Sequence, residues 1–113
     1  MVRLAVALAI MAQLIVCARA QTDIITGNSY LPRCQAALDK FDDDAMLCLG
    51  IVFAARAYTY GLAGKHQACV PDAVPNVEVV KVVLNFLNEN PKRLQESFVV
   101  LVAEALNDKW PCK

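Results

Sequence analysis

The chain carries one histidine and one tryptophan, and beyond its first twenty residues only two serines. Scarcity of this kind excludes most covalent hydrolytic chemistry. A Ser-His nucleophile needs a base beside the hydroxyl, and only His66 with Ser29 or Ser97 could supply the pair. His66 lies in "GKHQAC", a loop sequence, which reads as a solvated histidine rather than a base. No CxxC pair occurs, and a lone histidine offers no zinc-ligand spacing. "GLAGK" sets two glycines before Lys65 without the spacing of a phosphate-binding loop. Nor is one sign of charge in excess, with 11 Lys and Arg against 11 Asp and Glu. Nothing there draws the chain to nucleic acid or to an anionic membrane surface. No catalytic residue, cofactor or metal is expected.

The start of the chain differs in kind from the rest. Arg3 supplies a short basic region, and "LAVALAIMAQLIV" (Leu4 to Val16) is an apolar run of signal-peptide length. "ARA" (Ala18 to Ala20) has the small-x-small form cut by signal peptidase, which predicts cleavage after Ala20. The run falls short of the ~18–20 apolar residues of a spanning helix. Val16 stands where a lipobox would need a small residue before Cys17, which argues against lipidation. The reading is a cleaved signal over residues 1–20 and a single exported domain over 21–113. It is a periplasmic domain with no stable membrane insertion after cleavage. Cleavage leaves nine basic against eleven acidic residues, and an even set of cysteines: Cys34, Cys48, Cys69 and Cys112. In a short exported chain such a set is read as two disulfides.

Four segments carry helical periodicity. "NSYLPRCQAALDKF" puts Tyr30, Leu31, Cys34, Ala37, Leu38 and Phe41 on one stripe, with Asn28 as the cap and Pro32 in the first turn. Asp42 to Asp44 then open a second helix. Three adjacent carboxylates could hold a metal, but at this place they more naturally cap a helix and complement its dipole. From Ala45 to Gly64 the only charge is Arg56. A helix apolar around nearly its whole girth is buried, either at the centre of a bundle or against a second subunit. Of Tyr58 and Tyr60, which fall on different faces, at least one is expected in the core or at such a contact.

"NVEVVKVVLNFLNE" is rich in strand-favouring valine. Its polar residues Glu78, Lys81, Asn85 and Asn88 recur at helical spacing, and Pro75 with Asn76 gives a stop and a cap. Asn90-Pro91 repeats that signal. "KRLQESFVVLVAEALNDKW" then sets Leu94, Phe98, Leu101, Val102 and Ala105 on an inner face, and Trp110 is expected to cover the bundle's end. The fold class is all-α: a small four-helix up-and-down bundle stapled by two disulfides.

That geometry fixes the pairing. With Cys48 near the start of the long second helix and Cys69 beyond its end, about 24 Å of helix separate Cys48 from Gly64, and five further residues recover at most ~17 Å. Paired Cα atoms must come within ~7 Å, so Cys48–Cys69 is barely reachable. The third and fourth helices go up and return, bringing Cys112 to Cys69 and leaving Cys34 to face Cys48. The expected pairs are Cys34–Cys48 and Cys69–Cys112. Three neighbours do not obviously cover the apolar second helix, so a homodimer is expected to bury the remainder.

The ordered motifs resemble the Rap/Tai family of bacterial immunity proteins. They are Gly27 with Leu31 and Cys34, Cys48 with Gly50, Cys69 with Pro71, Leu87 to Pro91, and Trp110 to Cys112. The resemblance spans nearly all of residues 21–113. It implies a small helical, disulfide-linked periplasmic domain, often dimeric, that binds and blocks a peptidoglycan amidase delivered by a type VI secretion system. Where the family often has Gly-Tyr and a further Gly in helix two, this chain has Ile51 and Ala54-Ala55, so the resemblance assigns no toxin contacts to particular residues. A rival expectation is a helical periplasmic acid-stress chaperone of the HdeA class, which would expose its apolar helix at low pH, or another envelope protein.

Overall fold

The computed structural model describes residues 25–113. The expected signal segment and its cleavage point after Ala20 lie outside the described residues. Four helices follow in order: α1 Gly27–Asp39, α2 Asp43–Tyr58, α3 Asn76–Glu89 and α4 Phe98–Lys109. Short 3-10 turns at Thr59–Gly61, Gly64–His66 and Pro91–Arg93 join them. Among the described residues no helix is long and apolar enough to cross a membrane.

The start of α1 differs from the sequence expectation. Thr26, two residues before Asn28, is the cap. Its hydroxyl accepts from the Ser29 N–H at 3.3 Å, while the Ser29 hydroxyl accepts from the Thr26 N–H at 3.1 Å. This reciprocal box satisfies two otherwise orphaned donors, and it leaves Pro32 inside the helix rather than in its first turn. The same end is sewn to the turn before α4: Gly27 N–H donates to Glu96 C=O, Asn28 N–H to Leu94 C=O and Phe98 N–H to Ile25 C=O. The two backbones lie so close that a Cβ on Gly27 would come within 2.8 Å of Leu101 and 3.0 Å of the Leu94 backbone. Gly27→Ala is therefore expected to cost about 1–3 kcal/mol of stability, measured by urea unfolding. A variant of unchanged stability would show that the two segments separate freely.

In α2, Asp42 caps as expected, accepting from the Ala45 N–H at 2.8 Å, with Asp43 and Asp44 in the first turn. The helix ends at Tyr58, well short of Gly64. The buried Thr59 hydroxyl donates back to the Ala55 carbonyl at 2.6 Å, and the chain tightens into a 3-10 turn from Thr59. In α3 the valines are helical, and Glu78, Lys81, Asn85 and Asn88 lie exposed as the spacing predicted. Pro75 takes the cap position, and Asn76 makes no cap. The fourth segment begins later than expected, because residues 91–93 form a separate 3-10 turn and α4 starts at Phe98.

Of the two places expected for the second helix, the centre of the bundle and a contact with a second subunit, burial rules out the first. Every residue from Leu101 to Leu106 on α4 is buried. On α2 only Ala45, Cys48, Leu49, Val52 and Ala55 are buried, while Met46, Leu47 and Phe53 are exposed. The central helix is α4, with α2 on the flank. Phe98 stacks on Tyr30 with ring centroids 4.6 Å apart, and the Arg33 guanidinium covers the other side of Tyr30 at 5.0 Å. The α1 stripe holds at Tyr30 and Cys34 but fails at its end. Leu38 is exposed, and Phe41 is 83% exposed in the turn after the helix.

Both disulfides form as the helix geometry required, Cys34–Cys48 with Cα atoms 5.2 Å apart and Cys69–Cys112 at 5.0 Å. Trp110 packs against the core, and its carbonyl accepts from the Cys69 N–H at 2.8 Å.

Candidate functional site

Polar side chains gather at one place in the core, and the sequence did not reveal it. Glu104 on α4 is 7% exposed. Its carboxylate meets Arg93 at 2.7 Å and Lys65 at 3.1 Å, while His66 Nε2 stands 3.6 Å away. Arg93 also holds Glu96 through two hydrogen bonds, of 2.8 and 3.0 Å. The cluster fastens the 3-10 turns at 64–66 and 91–93 to the central helix. Burial alone would push the Glu104 carboxyl up, but the contacts and charge of Arg93 and Lys65 outweigh it and hold the group below the ordinary carboxylate value. Arg93 likewise lowers Glu96, against a smaller opposing effect of burial.

A carboxyl whose folded pKa is depressed contributes stability above its unfolded value and loses that contribution as the pH falls through the folded one. The cluster is therefore expected to hold at neutral pH and to weaken below about 4.5, the ordinary carboxyl value. Glu104→Gln is expected to cost about 1–3 kcal/mol at pH 7 and to flatten the acid limb of stability against pH. Parallel curves for the two proteins would sink the assignment.

His66 thus sits at the edge of an ion-pair cluster, in a 3-10 turn. Ser29 is engaged with Thr26 in the α1 box. Among the described residues no group of His, Cys, Asp and Glu is placed to hold a metal ion.

Arg56, the one basic residue of α2, works as a clamp. Its guanidinium donates to the carbonyls of Val74 (2.6 Å), Pro71 (2.7 Å) and Asp72 (3.1 Å), and to Asn76 Oδ1 (3.0 Å). This planar fork holds the 71–76 segment against α2, a task an ammonium point charge would do poorly. Asn76, expected as a cap, spends its side chain here. Tyr58 packs against the core, where burial raises its phenol, and Tyr60 is exposed.

The remaining feature is an uncovered apolar face. Met46, Leu47, Gly50, Phe53, Ala54 and Ala57 form the outer side of α2, all exposed and none charged. Beside it a groove of about 160 Å³ opens between the end of α1, α2 and the start of α3, lined by Leu38, Phe41, Leu49, Phe53, Val77 and Val80. Exposed apolar residues that run together in this way mark a surface awaiting a partner.

A helical bundle with two bridges at these positions carries a large open apolar face that a partner could cover. Residues 26–112 match the family model of the Rap1a immunity proteins. The chain belongs to the Rap1a immunity protein family. Comparison with curated proteins and with solved structures gave no significant match. Membership implies a protein partner, the toxin against which immunity is conferred.

The motifs that carried the resemblance now have physical reasons in this Rap1a family member. Gly27 is required by close backbone approach, Pro71 offers a carbonyl to Arg56, and Trp110 offers one to Cys69. Asn90 turns its amide back to the Phe86 carbonyl at 2.7 Å and so closes α3. Gly50 is the exception: a Cβ there would meet nothing within 4 Å. Packing within one chain gives it no reason.

Proposed function

We propose that the protein is a periplasmic immunity protein that binds a peptidoglycan amidase, delivered by a type VI secretion system, and occludes its active site. The observation that carries this reading is the family match across residues 26–112. The Rap/Tai resemblance supplies the amidase class. Export is supported by the signal-like residues 1–20 and by two disulfides, which persist in oxidising compartments such as the periplasm.

The same reading includes a homodimer through the outer face of α2. Leu47, Gly50, Ala54 and Ala57 would let two α2 helices approach closely around a twofold axis, which gives the unobstructed Gly50 a purpose. Light scattering at micromolar concentration is expected to give twice the mass of the processed chain; the mass of a single chain would remove the dimer from the account.

Function is tested in cells that export, one at a time, the type VI secretion peptidoglycan amidases of the source organism to their own periplasm. Co-expression of the full chain is expected to restore growth against one of them, and a version lacking residues 1–20 is expected not to. Lysis that continues in every case with the full chain present in the periplasm would overturn the immunity reading.

A further inference from the structure

We infer that the corner formed by Phe41 and the groove beside it is the docking surface for the toxin, and that it fits a basic segment bearing an apolar side chain. This rests on the immunity reading for the identity of the partner, but not for the chemistry of the surface.

Three observations converge on that corner. Phe41, at 83%, is the most exposed of the large apolar residues among those described. An aromatic ring in water is stable there only by chain constraint, and burying it gives more contact area than any aliphatic neighbour could. Next to it, Leu38, Phe53 and Val77 are each at least 40% exposed and wall a groove whose floor is Leu49 and Val80. Ring and groove together form a knob and a hole on one face, the arrangement in which aromatic anchors dominate binding.

The third observation is charge. The turn "DKFDDD" carries four exposed carboxylates, Asp39, Asp42, Asp43 and Asp44, against one exposed lysine, Lys40. Arg33 offsets only Asp44, at 3.4 Å. An apolar patch inside such a rim selects a cationic surface and speeds its approach. The rim also disfavours a second copy of this chain, since a twofold axis through the corner would set carboxylates against carboxylates. The outer positions Gly50, Ala54 and Ala57 of α2 are uncharged and carry no such penalty, so self-association and toxin docking divide between neighbouring faces. An enzyme that works on the anionic polymer of the cell wall gains from a basic substrate groove. The acidic corner would compete for that groove on the same terms.

Two arms test the proposal. In the first, Phe41→Ala and the double variant Asp39→Asn with Asp43→Asn are titrated against the type VI secretion peptidoglycan amidases of the source organism. Neither change touches the core or the Asp42 cap. Phe41→Ala is expected to weaken binding about 30-fold or more. The double variant is expected to slow association and to reduce its salt dependence. If wild type inhibits and both variants inhibit equally well, the docking corner is wrong while the immunity reading stands. If wild type itself fails, the immunity reading falls, and the second arm decides the surface. There, the isotope-labelled protein is titrated with a peptide of alternating leucine and lysine, and with one of alternating leucine and glutamate. Amide signals around Leu38, Phe41, Phe53 and Val77 are expected to move with the basic peptide alone. Equal response to both peptides, or response elsewhere, overturns the inference. So does conversion of a dimer to a monomer by Phe41→Ala, which would make the corner the self-interface.

Discussion

Replacing Cys34 and Cys48 together by alanine is expected to lower the unfolding free energy by roughly 3 kcal/mol, and replacing Cys69 and Cys112 by about 4 kcal/mol. The bridges close loops of 14 and 43 residues in sequence separation, and the entropy removed from the unfolded chain grows slowly with that length. Since net domain stability is typically ~5–15 kcal/mol, loss of both should leave a chain that barely folds. The two bridges also differ in access. Cys34 and Cys48 are fully buried, whereas Cys69 and Cys112 are half-buried beside the chain's C-terminal residues. Mild reductant followed by alkylation and mass mapping is therefore expected to open Cys69–Cys112 first. Opening in the reverse order would mean that the α1–α2 layer separates more readily than the C-terminal tether.

The second large effect concerns which helix is central. Phe98→Ala removes a fully buried ring that stacks on Tyr30 and is expected to cost about 3–5 kcal/mol. Phe53→Ala on α2 removes a ring already 40% exposed and is expected to cost under about 1 kcal/mol. Denaturant titrations of both variants give the comparison directly. A larger loss at Phe53 would restore α2 to the centre and contradict the burial pattern of α4.

The sequence was most legible where local spacing decides the structure. Polar residues of α3 at three- and four-residue intervals outweighed the strand preference of its valines, and the helices then left only one feasible cysteine pairing. Asp42 was legible as a cap in type and position, whereas the other caps were legible by residue type alone. Asn28 and Asn76 are good cap residues, yet Thr26 had a serine three residues on to complete its box, and Asn76 was claimed by Arg56 from another helix. The apolar girth of α2 led to an expected cover that this chain supplies on one side only, because periodicity cannot say whether the cover is the same chain or another. Phe41 continued the α1 stripe on paper and fell outside the core because the helix stops at Asp39. Glu104 could not be read at all. Its partners Arg93 and Lys65 come from distant turns, so a buried, ion-paired carboxylate looks in sequence like any surface glutamate.

One titration tests occlusion of the enzyme most directly. The oxidised protein lacking residues 1–20 is added stepwise to each type VI secretion peptidoglycan amidase of the source organism, with release of peptidoglycan cross-links as the readout. Activity of one of them is expected to fall linearly and to vanish near one chain per enzyme. Full activity of every amidase at tenfold excess of the oxidised protein would contradict it.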